Sequence, residues 1–88
     1  MEKKEVVERL KEYSKWELKD GYLTKIFSFD DFMDSVNFVN EIAPIAEKQQ
    51  HHPDLTIEYN KVTVRLRTHD QDSITEKDFE LVNKIERL

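Results

Sequence analysis

The chain contains no cysteine, and that absence removes disulfides, thiolate catalysis, iron–sulfur clusters and cysteine-type zinc sites together. Glycine occurs once and proline twice, so turns must be short and no flexible linker divides the sequence. With 88 residues the chain reads as one domain, 1–88. Positive charge is in deficit: 14 Lys and Arg stand against 19 Asp and Glu, a formal net charge of −5. Proteins that grip nucleic acid through its phosphates carry the opposite balance, so no direct nucleic-acid partner is expected. No apolar run is long enough to span a bilayer, and Met1-Glu2-Lys3-Lys4 leads into a charged segment rather than a signal-peptide core. The expectation is a soluble, cytoplasmic protein with no membrane partner.

What is present is charge and aromatic bulk. Charged residues make up 38% of the chain, against roughly 25% in an average domain. Such a composition could mean disorder, but five Phe, three Tyr and one Trp fall in patterned segments and supply core volume. A core this small stabilises modestly, so self-association is expected.

The pattern then sets the elements. Glu2 to about Ser14 reads as a helix with Val6, Val7, Leu10 and Tyr13 on one side. Trp16-Glu17-Leu18 alternates, Lys19-Asp20-Gly21 is a turn, and Tyr22 to Phe29 reads as a strand, so Asp-Gly marks a hairpin. A second helix can start at Ser28 or at Asp30. With Ser28 as cap, Phe27 and Phe32 would form a hydrophobic staple. Its expected apolar stripe is Phe32, Val36, Val39, Ala43 and Ala46, widened by Met33, Ile42 and Ile45. Pro44 removes one helical hydrogen bond and predicts a kink rather than an end.

After His51-His52-Pro53 the period changes from helical spacing to alternation. A two-residue turn at Asn60-Lys61 would set Tyr59 opposite Val62, Ile57 opposite Val64 and Leu55 opposite Leu66. Thr75 reads as the cap of the last helix, with Asp78 at its third position, Ile74 and Phe79 as a staple, and Phe79, Val82, Ile85 and Leu88 along its inner side. The order α-β-β-α-β-β-α implies an α+β domain: a four-stranded antiparallel sheet with helices on one face.

The three histidines are His51, His52 and His69. Extending the hairpin register would set His52 opposite His69, with His51 at the helix exit. Any one of them reads more simply as a polar residue at a helix or strand end. Three converging favour a site, because imidazole both gives and takes protons near neutral pH. A metal site is the rival use, with Asp70 or Glu47 as a further ligand. Adjacent His51 and His52 make poor joint ligands, however, since neighbouring side chains of an extended segment point apart. Glu47, one turn before His51, could orient an imidazole or bind a substrate N–H, or be a solvated helix residue. Thr68 and Asp70 flank His69 and could be ordinary strand-end residues. Asp78 reads first as a cap. Arg65 and Arg67 project from the polar face of the last strand, where solvation is the usual outcome.

Ala46-Glu47-Lys48, His51-His52-Pro53-Asp54, Tyr59 through Leu66, Thr68-His69-Asp70 and Thr75-Glu76-Lys77-Asp78 together resemble the pterin-4a-carbinolamine dehydratases. Trp16, Phe27-Ser28-Phe29, Asp31-Phe32 and Phe38 extend the resemblance upstream. It implies the fold order already read, dimers or tetramers, and no metal or other cofactor. The implied activity removes water from 4a-hydroxytetrahydrobiopterin to give quinonoid dihydropterin, in recycling of the cofactor of aromatic amino-acid hydroxylases. By resemblance, His51, His52 and His69 are catalytic, while Glu47, Thr68, Asp70 and Asp78 line the pterin site. Some animal members also serve as dimerisation cofactors of a homeodomain transcription factor, which is the alternative, non-catalytic role. The chain departs from the family at Gln71-Asp72-Ser73-Ile74, where glycine is usual. If that loop needs positive φ, Asp72 tolerates it better than most residues. Gln50 also stands where an acidic residue is common. Finally, Phe38 lies roughly 140° around the helix from the centre of the Phe32/Val36/Val39 stripe. Unless the first or last helix reaches it, it would be exposed in a monomer, which points to a homodimer or homotetramer. The plainer alternative is the far side of a wide core stripe.

Overall fold

The computed structural model describes residues 1–88. Helix α1 (Lys3–Leu10) is followed by strands β1 (Glu17–Lys19) and β2 (Tyr22–Ser28) and by helix α2 (Phe32–Gln49). Strands β3 (Asp54–Glu58) and β4 (Lys61–Leu66), a 3₁₀ turn (His69–Gln71) and helix α3 (Glu76–Glu86) complete the chain. The strands form one antiparallel sheet in the order β1-β2-β4-β3. Leu23, Val62, Val64 and Leu66 point to one side of it and cluster with Val6 of α1, Ile42 of α2 and Phe79, Leu81, Val82 and Ile85 of α3. The expected α+β order and antiparallel sheet are present.

The first hairpin turns at Asp20 and Gly21, with φ of +52° and +83°, and Lys19 pairs with Tyr22 across them. Left-handed dihedrals at both positions match the twist of a two-residue hairpin, and Asp-Gly supplies them with little strain. Helix α1 ends at Leu10, short of the expected Ser14. Beyond it the bonds tighten, Glu12 to Arg9 and Tyr13 to Leu10, and Lys15 at φ +68° turns the chain toward Trp16. Val7, expected on the inner side, is exposed. Arg9 fixes α1 to α3 through two bonds to Glu76, 2.7 and 3.1 Å. The Arg9 hydrogen bond holds the Glu76 carboxyl below the usual carboxylate range and raises Arg9 in turn. Such a depressed carboxyl stabilises at neutral pH and stops doing so as pH falls through its folded value. Glu76 is solvent-exposed, so water and salt screen most of the effect.

Helix α2 starts at neither Ser28 nor Asp30. Ser28 is the last residue of β2, paired with Lys61, and Phe27 is paired with Val62, so neither is free to form the cap or staple. Asp31 caps instead, accepting the Asp34 N–H at 2.8 Å. The helix runs through Pro44 to Gln49, so the proline does not end it. Its inner face is rotated from the expected stripe. Ser35, Ile42 and Ala46 are buried, with Phe38, Val39 and Ile45 beside them, whereas Phe32, Met33 and Ala43 are exposed. Phe38 follows the plainer of its two readings, as part of a wide core stripe, and packs on Phe27 and Phe29 at ring-centroid distances of 4.7 and 5.1 Å. Two aromatic rings at the end of β2 offer more contact than any other neighbour, and they draw Phe38 inward.

The β3–β4 turn is Tyr59-Asn60, not Asn60-Lys61. Glu58 pairs with Lys61, Ile57 with Val62 and Leu55 with Val64. Tyr59 sits in the turn at φ +51° and is exposed, and Leu66 pairs with Leu23 of β2. Asn60 is bound to Phe29 on both sides, its carbonyl accepting at 2.8 Å and its Nδ2 donating at 3.0 Å. That long-range clamp sets the turn. Because the pairing differs from the expected register by two residues, an even number, every apolar residue of β4 stays on the inner face. Leu88, expected along the inner side of α3, lies beyond the helix and is exposed, while Leu81 is buried.

The rotated face of α2 yields a direct test. Phe38→Ala is expected to lower unfolding free energy by about 2–3 kcal/mol, below the roughly 3–5 kcal/mol of fully buried phenylalanines because Phe38 is half-buried. Met33→Ala is expected to stay within about 0.5 kcal/mol. Urea denaturation of both variants checks the assignment; a reversed order of costs would reject it.

Candidate active site

The end of α2 sets the first histidine. Gln50 adopts a left-handed conformation at φ +54°, the Gln50 N–H bonds to the Glu47 carbonyl at 3.2 Å, and the His51 N–H reaches back to the Ala46 carbonyl at 3.1 Å. This pair of bonds is a Schellman stop. It turns the chain out of the helix and fixes the His51 backbone at the same time. The side chain of His51, only 8% exposed, places Nε2 2.6 Å from Asp78 Oδ1.

Asp78 is fully buried. Its second oxygen accepts from Thr68 Oγ1 at 2.8 Å and from the Thr75 N–H at 2.9 Å. The Thr75 bond makes Asp78 the third residue of the expected capping box of α3. Thr68 Oγ1 lies 2.7 Å from Thr75 Oγ1. Since the single hydroxyl proton of Thr68 goes to Asp78, Thr75 donates to Thr68 and accepts from the Lys77 N–H. Thr68 and the Thr75 N–H both donate to Asp78; an ionised carboxylate can only accept, so in that state Nε2 of His51 carries the hydrogen and Nδ1 is the remaining ring nitrogen.

His52 is exposed and its Nε2 pairs with Glu47 Oε2, also exposed. The backbone reversal after Gln50 brings them together across five residues. His69 begins the 3₁₀ turn and is exposed. Its loop is closed by the two-sided Thr68–Ser73 bridge, with bonds of 2.9 and 3.4 Å. Asp72 takes the left-handed position at φ +51°, where the resemblance leads one to look for glycine. The Asp72 carboxylate pairs with Arg67, as its backbone bonds to the His69 carbonyl at 3.1 Å.

The expected residues therefore fall into separate groups. His51, Thr68 and Asp78 form one hydrogen-bonded network, and His69 follows Thr68 directly. His52 and Glu47 form a second, solvent-facing pair. His52 is not opposite His69: with the turn at Tyr59-Asn60, strand pairing ends at Asp54 and Arg65. Asp70 is exposed and its carboxylate makes no hydrogen bond or ion pair. No three His, Asp or Glu side chains cluster in a way that could hold a metal ion. One residue near the site escaped the sequence reading. Tyr22 lies with its ring 6.1 Å from that of His69, a proximity created by β2 lying beside β4 and invisible to local spacing.

Comparison with known proteins bears on the family and the fold. The family model described as pterin 4 alpha carbinolamine dehydratase matches residues 1–88. A Sulfurisphaera tokodaii protein, provisionally named pterin-4-alpha-carbinolamine dehydratase, is 48% identical over 97% of this chain and 91% of its own. A Sulfolobus acidocaldarius protein of the same provisional name is 43% identical over 100% and 97%. Among solved structures, a Brucella melitensis protein described as a transcriptional coactivator/pterin dehydratase superposes with a TM-score of 0.92 at 32% identity, covering 99% of this chain and 95% of that one. A pterin dehydratase-like protein described as a RuBisCO assembly factor in the alpha-carboxysome shares the fold, with a TM-score of 0.71 at 17% identity over 85% and 89%. With a family match along its whole length and relatives this similar, the chain belongs to the pterin 4 alpha carbinolamine dehydratase family.

Proposed function

We propose that the protein is a hydro-lyase that removes water from 4a-hydroxytetrahydrobiopterin, giving quinonoid dihydropterin in recycling of the reduced pterin. The observation that carries this reading is His51, whose Nε2 is held on the buried Asp78 carboxylate. In the reaction the N5 lone pair forms the C4a=N5 bond as the C4a–O bond breaks. One acid gives a proton to the departing hydroxyl and one base takes the proton of N5. No electrons are exchanged with a cofactor. His51 and His69 are the proton-transfer pair, and His52 positions the pterin ring.

Each such transfer contributes about 10²- to 10⁴-fold. Glu47 holds His52 on the solvent side, where it can also meet a ring N–H, and Asp70 stands free to bind the pterin edge. Thr68 and Asp78, assigned to the pterin site by resemblance, are buried and act through His51. The protein works as a metal-independent enzyme of the cytoplasm, without nucleic-acid or membrane partners. No helix is long and apolar enough to cross a membrane.

It also works as a homodimer or homotetramer. Phe38 no longer supports this reading, but other surfaces do. Phe32 and Met33 of α2 are 50% and 60% exposed, and β1 and β3 are open sheet edges. The same surfaces suit the second reading, a protein-interaction module, which draws on what the two structural neighbours are described as doing. The site network favours the enzyme.

Three outcomes test these readings. His51→Ala and His69→Ala are each expected to lower kcat at least about tenfold with the fold intact, and His52→Ala to act mainly on KM. Stopped-flow dehydration of the 4a-hydroxytetrahydropterin measures this; near-wild-type turnover in both of the first two variants would reject the site. Treatment with a chelator is expected to leave the rate unchanged, and loss of activity restored by a divalent ion would reject the metal-free mechanism. Light scattering at micromolar concentration is expected to give a multiple of the 10.6 kDa chain mass; a clean monomer mass would refute self-association.

A further inference from the structure

We propose that Tyr22, at the start of β2, is a positioning residue that holds the imidazole of His69 in line for proton transfer. The proposal rests on the reading of His69 as a proton-transfer group. The three imidazoles are restrained very differently. That of His51 is tied to a buried carboxylate and that of His52 to Glu47. The imidazole of His69 makes no hydrogen bond within the protein, and it sits on an exposed 3₁₀ turn where side-chain rotamers exchange freely. Its aromatic neighbour is Tyr22, with ring centroids 6.1 Å apart and planes at 63°. This edge contact is one that aromatic rings prefer.

Tyr22 is itself well anchored. Its backbone pairs with Lys19 in the sheet, and its ring is half-buried. The Arg65 guanidinium lies over that ring, 3.9 Å from the centroid, and the Arg67 guanidinium lies 5.6 Å away. Arg67 also pairs with Asp72, which closes the loop that His69 opens. The loop is thus joined to the outer sheet face twice, through the His69 ring and through Asp72. The Tyr22 hydroxyl makes no hydrogen bond within the protein, so the ring alone carries the contact. An acid or base must lie within hydrogen-bond reach of its proton, and an imidazole turned away contributes nothing.

Two measurements on the full chain test this. In NMR spectra, Tyr22→Ala is expected to shift the His69 ring-proton signals, as the ring-current contribution of Tyr22 is lost, and Tyr22→Phe to leave them in place. In the dehydration assay, Tyr22→Ala is expected to lower kcat about three- to tenfold with KM changed less than about twofold, and Tyr22→Phe to restore it. In a His69→Ala background, Tyr22→Ala is expected to have no further effect, because it acts only through that side chain. Tyr22→Leu keeps the bulk without the ring and replaces Tyr22→Ala if the latter does not fold. Unmoved His69 signals, or full turnover in Tyr22→Ala beside an impaired His69→Ala, overturn the proposal alone. Full turnover in His69→Ala itself overturns the site reading, and this proposal with it.

Discussion

The buried carboxylate of Asp78 joins the parts of the chain on which the site depends. It receives Nε2–H from the residue that follows α2, a hydroxyl from the residue beyond β4, and a backbone N–H from the cap of α3. A carboxylate without water is costly unless donors saturate it, and here the donors come from three different elements. Removing one donor leaves a buried acceptor unmet, at a cost of about 1–3 kcal/mol. The sheet and the last two helices can therefore meet in only one way that satisfies it. Orientation of the His51 ring and capping of α3 are achieved by the same carboxyl group.

That double use explains why the capping role was readable and the orienting role was not. Thr75 and Asp78 are three residues apart and follow a local rule, so the capping box could be placed from sequence. The bond to His51 spans 27 residues and exists only once α2 and α3 have packed. Other local signals were equally legible: the Asp20-Gly21 hairpin, the alternation of β4, the continuation of α2 through Pro44. The failures that bear on the site have a long-range cause. Asn60 could not be placed in its turn without Phe29, and Phe38 could not be turned inward without Phe27. Ser28 looked like a cap because its place in β2 is settled by pairing with β4 rather than by its neighbours. The histidines were found by residue type, yet the register that seemed to pair His52 with His69 shifted with the turn. Tyr22 was out of reach because only the sheet order brings it to His69.

With a single glycine, the chain bends through left-handed conformations at Lys15, Asp20, Gln50, Tyr59 and Asp72 instead. Each such residue carries a modest steric cost. Two of the five flank histidines of the site, Gln50 before His51 and Asp72 after His69. Side-chain bonds offset the cost at both: Gln50 Nε2 donates to the Glu47 carbonyl at 2.7 Å, and Asp72 pairs with Arg67. The departure from a glycine-bearing loop thus comes with its own compensation in Arg67.

His51 is bound at both ends, its main chain closing α2 and its side chain reaching α3. The side-chain bond joins the end of α2 to α3, so this imidazole stays held as long as those two helices remain packed. His69, on an exposed turn, is attached to a segment that can fray while the core persists. As temperature rises, the two imidazoles would therefore lose order in sequence rather than together. Activity would then decline below the melting temperature, its early loss tracking the turn and leaving the His51 network the last part of the site to melt.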